Sequence, residues 1–125
     1  MKDQQSPLQT LFRQWAVEAF GENVANDKME RNHRFLEESL ELVQSLGMEK
    51  SEAYQLVDYV YARGAGEVNQ EVGGVLATLA CLCSANYIDM MGAGEKELIR
   101  IHEKIDLIRA KQAIKPKHCR YRFES

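Results

Sequence analysis

Glu71-Val72-Gly73-Gly74-Val75-Leu76-Ala77-Thr78-Leu79-Ala80-Cys81-Leu82-Cys83 carries one acid at its head and no further charge through Cys83. Val, Leu, Ala and Cys run all round it, and a helix of that composition is expected to be the buried helix of a bundle. The helix starts near Glu67 and continues to about Asn86. A carboxylate at the head of a buried apolar helix stays ionised only where positive charge meets it, and a metal ion is a usual answer. A second stretch, Leu36-Glu37-Glu38-Ser39-Leu40-Glu41-Leu42, packs three carboxylates into five positions. Glu38 and Glu41 are three apart and so adjacent on one helical face, with Glu37 at its edge. Like charges that close oppose helix formation by about 0.2–0.5 kcal/mol per pair unless something compensates. On the apolar helix, Glu67, Glu71, Gly74 and Thr78 follow a 4-3-4 spacing and form its polar stripe. Were that stripe to face the acidic edge, hard oxygen ligands would converge as Mg²⁺ or Mn²⁺ requires, in the way bundles hold metal with helix-borne carboxylates.

Outward from these two segments the pattern is helical almost throughout. Leu8, Leu11, Phe12, Trp15, Ala16 and Ala19 mark an amphipathic helix that Gly21 ends. A second helix spans about 27–46, with a broad apolar face from Phe35 to Leu46, and Gly47 closes it. A third begins at Ser51-Glu52 and stops at Gly64-Ala65-Gly66, which reads only as a helix-breaking turn. Asp89 caps a fifth, expected to run to about Ala113. Pro7 and Pro116 fit a helix start and a helix stop. Neither strand alternation, nor an internal repeat, nor a low-complexity segment interrupts the series. The expectation is all-α: one domain over 1–125, a bundle of about five helices, and a basic tail from about 115.

At 125 residues, 45% hydrophobic and 28% charged, the chain reads as one globular domain. No apolar run approaches the span of a membrane helix and the start lacks the order of a signal peptide, so a cytoplasmic protein that binds no membrane is expected. Residues 1–95 hold 7 Lys/Arg against 15 Asp/Glu, a charge of −8, whereas 96–125 hold 9 against 4, a charge of +5. An acidic body argues against a nucleic-acid binder, which usually shows a basic face. Lys96, Arg100, Lys104 and Lys111 recur at helical spacing and are in reach of phosphate oxygens as well as of solvent. Cys81, Cys83 and Cys119 suit neither a disulfide framework nor a zinc site and read as reduced packing residues. The three histidines have no nucleophile or metal-ligand spacing, and no phosphate-binding glycine loop occurs. Tyr54, Tyr61 and Trp15 have the shape to stack a base, and equally the helical spacing of a core.

Together, Leu36-Glu37-Glu38-Ser39-Leu40-Glu41-Leu42 and Glu71-Val72-Gly73-Gly74-Val75-Leu76 resemble the E-x-x-E and E-x-x-D motifs of the all-α nucleoside triphosphate pyrophosphohydrolases. That is the MazG-like superfamily, which includes dimeric dUTPases, and the resemblance covers about 31–111. It implies Mg²⁺ (or Mn²⁺) held by acids, and a triphosphate split into a monophosphate and pyrophosphate. Carried over by position, Glu38, Glu41 and Glu71 match metal ligands, and Glu37 matches an additional acid that binds metal or orients water. Arg100, Lys104 and Lys111 are the expected phosphate contacts, and a homodimer or homotetramer is implied. Gly74 stands where the motif has Asp. Three accounts stand open: Glu67 supplies the missing oxygen, water does, or the chain is a catalytically silent nucleotide-binding or protein-interaction module.

Overall fold

The computed structural model describes residues 5–116. Six helices follow one another: α1 Pro7–Ala25, α2 Lys28–Ser45, α3 Lys50–Tyr61, α4 Val68–Ala85, α5 Met90–Glu103 and α6 Ile105–Ile114. No strand occurs among the described residues. The all-α expectation holds, with six helices in place of about five. The basic tail lies mostly outside the described residues, as does Cys119.

Local chemistry sets the boundaries. Ser6 caps α1, its Oγ accepting from the Gln9 amide at 3.2 Å, with Pro7 at the first helical position. Gly21 leaves the helical region (φ 84°, ψ 163°), as its place in the sequence predicts, yet helix resumes for a last turn to Ala25 and yields a kink rather than an end. Asp27 Oδ1 accepts from the Glu30 amide at 3.1 Å and starts α2. That helix closes at Gly47 (φ 97°) in a Schellman motif, with Met48 N donating to Val43 O and Gly47 N to Gln44 O. A capping box between Glu49 and Glu52 begins α3. The stretch expected to be one fifth helix is divided at Lys104 (φ −119°, ψ 29°), which serves as the N-cap of α6.

The chain forms two compact units. One comprises Met1–Phe35 and Met91–Ser125, the other Leu36–Met90. In the first, α1 packs on α6, and Arg109 reaches back from α6 to donate to the carbonyls of Ala19 (2.6 Å) and Glu18. Trp15 Nε1 donates to Ile101 O at 3.3 Å, and its ring meets Phe20 edge-on at 5.3 Å. Ala19, Ala25 and Ile101 are buried, and so is Glu30, 4% exposed. The Glu30 carboxylate lies 3.4 Å from Arg34 Nε and 3.9 Å from Arg31 Nη2, and it accepts from Gln112. Arg34 also donates to Pro116 O at 2.7 Å, and the Arg31 guanidinium sits 5.5 Å from the Phe20 ring centroid. Burial pushes the Arg31 pKa down, with Glu30 opposing the shift.

The second unit holds the end of α2, then α3 and α4, and here the sequence expectation is corrected. The helix expected to be buried is exposed in the single chain: Val68 is 73%, Val72 60% and Leu76 59% accessible, and Cys83 is its buried residue. Cys81 is exposed, so of the two described cysteines Cys83 packs as expected and Cys81 does not. Tyr54, Tyr59, Tyr61, Leu56 and Val60 of α3 are exposed too, as are Leu36 and Leu40 of α2. By length and composition alone Val68–Ala85, at a mean hydropathy of 1.2, also reaches the threshold of a membrane-crossing helix, which the sequence reading did not anticipate.

Candidate metal centre

Every acid proposed as a ligand falls in the second unit. Glu37, Glu38 and Glu41 lie on the last turns of α2, Glu37 half-buried and the other two exposed. Glu71 lies in the first turn of α4 and is exposed. An exposed carboxylate carries no burial penalty, so the need for a compensating charge that the apolar sequence implied does not arise for Glu71 in the single chain. The Glu71 side chain folds back over the turn before α4 and lies against Gly66, where a Cβ added at residue 66 would stand 3.1 Å from Glu71 Cδ and closer still to Oε2.

Glu67 is the N-cap of α4. Its Oε1 accepts from Gln70 N and its Oε2 from Asn69 N, both at 2.9 Å. These backbone hydrogen bonds hold its carboxyl below the ordinary value of 4.5. Each oxygen keeps a second lone pair, so capping and metal ligation are compatible in chemistry. Thr78, further along the stripe, donates its hydroxyl to Gly74 O at 2.9 Å and to Val75 O at 3.1 Å, within its own helix. Two glycines inside a helix cost stability unless room for a close neighbour offsets them, yet no atom stands within 4 Å of a Cβ at Gly73 or Gly74. The close approach is at Gly66 instead. Sequence reading missed this because a glycine five residues before an acid signals a turn before it signals a cradle.

Arg100, Lys104 and Lys111 belong to the first unit. Arg100 is paired with Glu97 one turn earlier on α5, its Nε 2.9 Å from Oε1. Lys104 sits exposed at the α5–α6 break and Lys111 exposed on α6. The same unit contains a recess of about 260 Å³ lined by Phe20, Val24, Arg109, Gln112 and two alanines, and none of the candidate acids. Of the aromatics weighed for stacking a base, Trp15 is tied to Ile101 and Phe20, while Tyr54 and Tyr61 are exposed.

By kind the donors fit a hard divalent cation: carboxylate oxygens with no sulfur or imidazole among them, and a glycine cradle beneath one of them. By placement the single chain does not complete a cage. Among the described residues no three Asp, Glu, His or Cys side chains are gathered to hold one ion. Compared with known proteins, the chain matches no family model, no curated protein and no solved structure.

Proposed function

We propose that this chain is a Mg²⁺-dependent nucleoside triphosphate pyrophosphohydrolase of MazG-like type, acting as a homo-oligomer. The observation that carries the reading is that Glu37, Glu38, Glu41, Glu67 and Glu71 all fall in one compact unit, the first three on α2 and the last two at the start of α4, with Glu38, Glu41 and Glu71 in the order of the resembled motifs. Glu38, Glu41 and Glu71 would hold the ion, which when bound supplies charge neutralisation for the phosphates and a water of lowered pKa. Glu37 takes the proton of the attacking water. The water oxygen bonds to the α-phosphorus, the bond from the α-phosphorus to the α–β bridging oxygen breaks, and its electron pair leaves on that oxygen with pyrophosphate. Basic side chains such as Arg100, Lys104 and Lys111 would suit the charge on that leaving group.

A panel of canonical and modified (deoxy)nucleoside triphosphates, incubated with the full chain and Mg²⁺ or Mn²⁺, should release pyrophosphate from at least one member. In parallel, Mg²⁺ should raise the melting temperature of the wild type, and Glu41→Gln or Glu71→Gln should abolish the rise without unfolding the protein. Glu67→Gln separates its two roles, since loss of the Mg²⁺ response marks a ligand and its persistence marks a cap alone. The second reading, a silent nucleotide-binding or interaction module, is favoured by Gly74 in the place of the motif Asp and by the absence of a gathered three-donor group among the described residues. No pyrophosphate from any member of the panel selects that reading.

A further inference from the structure

We infer that Gly66 is a positioning residue for Glu71: the missing side chain at residue 66 leaves the space in which the Glu71 carboxylate lies. Two reasons for a glycine exist, backbone freedom and room, and here they separate. Gly66 does not adopt the left-handed φ that marks Gly21 and Gly47, so no left-handed backbone calls for glycine there. Room is what it supplies, because a Cβ there would overlap Glu71 Oε2 and press on Cδ at 3.1 Å and Cγ at 3.6 Å. The atom displaced is the tip of a flexible side chain, so an alanine is accommodated by moving the carboxylate while the helix stays in place. Gly64, two residues earlier on the same turn, has nothing within 4 Å of its Cβ position and no left-handed φ. It provides an internal control of the same substitution in the same loop.

The inference rests on Glu71 being a metal ligand, and its test is a melting experiment on the full chain titrated with MgCl₂. Gly66→Ala should leave the metal-free melting temperature unchanged or slightly raised, because alanine narrows the unfolded ensemble at a compatible backbone. It should at the same time raise the Mg²⁺ concentration for half-maximal stabilisation about tenfold or more, the usual effect of removing what orients a ligand. Gly64→Ala should shift neither. Glu71→Asp withdraws the carboxylate by one methylene, so adding Gly66→Ala to Glu71→Asp should change the Mg²⁺ midpoint no further. A wild-type response that Gly66→Ala leaves intact, or a metal-free melting temperature that Gly66→Ala lowers, overturns the role of Gly66 alone. A wild type unmoved by Mg²⁺ rejects the metal-site reading and the role of Gly66 with it.

Discussion

Glu67 and Glu71 stand four residues apart, and the first turn of α4 gives them different work. Glu67 accepts two amide hydrogen bonds that only its ionised form accepts in full, and its pKa is lowered for that reason. A carboxyl whose folded pKa lies below its unfolded value adds stability above the unfolded value, and that stability is lost as pH falls through the folded one. Glu67→Gln should therefore be less stable than wild type in urea at neutral pH, and the difference should shrink in acid well below the ordinary value of 4.5. At the other end of α4 the chain leaves through a second Schellman motif, with Ile88 N on Cys83 O and Tyr87 N on Ser84 O. The left-handed position falls on Tyr87 (φ 57°), a residue 98% exposed. Its ring contributes no packing, while its Cβ opposes the conformation. Tyr87→Gly should stabilise the protein by up to about 1 kcal/mol, read as a higher urea midpoint with an unchanged slope.

Helix by helix, the ends were legible in the sequence where a residue has one dominant backbone preference. Pro7, Gly21, Gly47 and the Gly64–Gly66 turn all mark boundaries or kinks that the structure contains. Lys104 was not legible, because neither glycine nor proline announces the break and amphipathic spacing continues across it. Nor was the ionic cluster around Glu30, since Asp27, Glu30, Arg31 and Arg34 are charged residues at the start of the second helix and nothing in their spacing marks one of them as buried. The structure buries Glu30 and brings Gln112 to it from α6, which joins α2 to α6 through a polar contact that no hydrophobic pattern encodes. For the site, the acid-bearing segments were legible as helices, whereas the placement of the Glu71 carboxylate on Gly66 depends on a side-chain rotamer that spacing does not specify. Glu30→Gln removes the charge that Arg34 and Arg31 face and leaves guanidinium groups without it. It should destabilise the protein by about 3 kcal/mol, the low end for a broken buried pair because Arg31 is partly exposed. Chemical denaturation at neutral pH measures it, and a loss under about 1 kcal/mol would show the cluster to be solvated like a surface pair.

At the scale of the whole molecule, the unpartnered apolar surface of the second unit decides what form the protein takes. Val68, Val72, Val75 and Leu76 of α4 lie open, and so do the aromatic and branched residues of α3. A second copy presenting the same face would cover them. The second unit carries nine acids against Lys50 and Arg63, a charge of −7, and two such faces repel unless a cation lies near. Pairing through α4 and metal binding should consequently favour one another. Light scattering without detergent, at micromolar protein, should give a multiple of 14.3 kDa, and Mg²⁺ should hold the assembly together to lower protein concentration. Val72→Glu and Leu76→Glu place charge in the apolar face and should each yield monomer. A wild-type mass of one chain throughout a dilution series, with or without Mg²⁺, rejects self-association, and a protein that is soluble only with detergent assigns the open face of α4 to lipid instead.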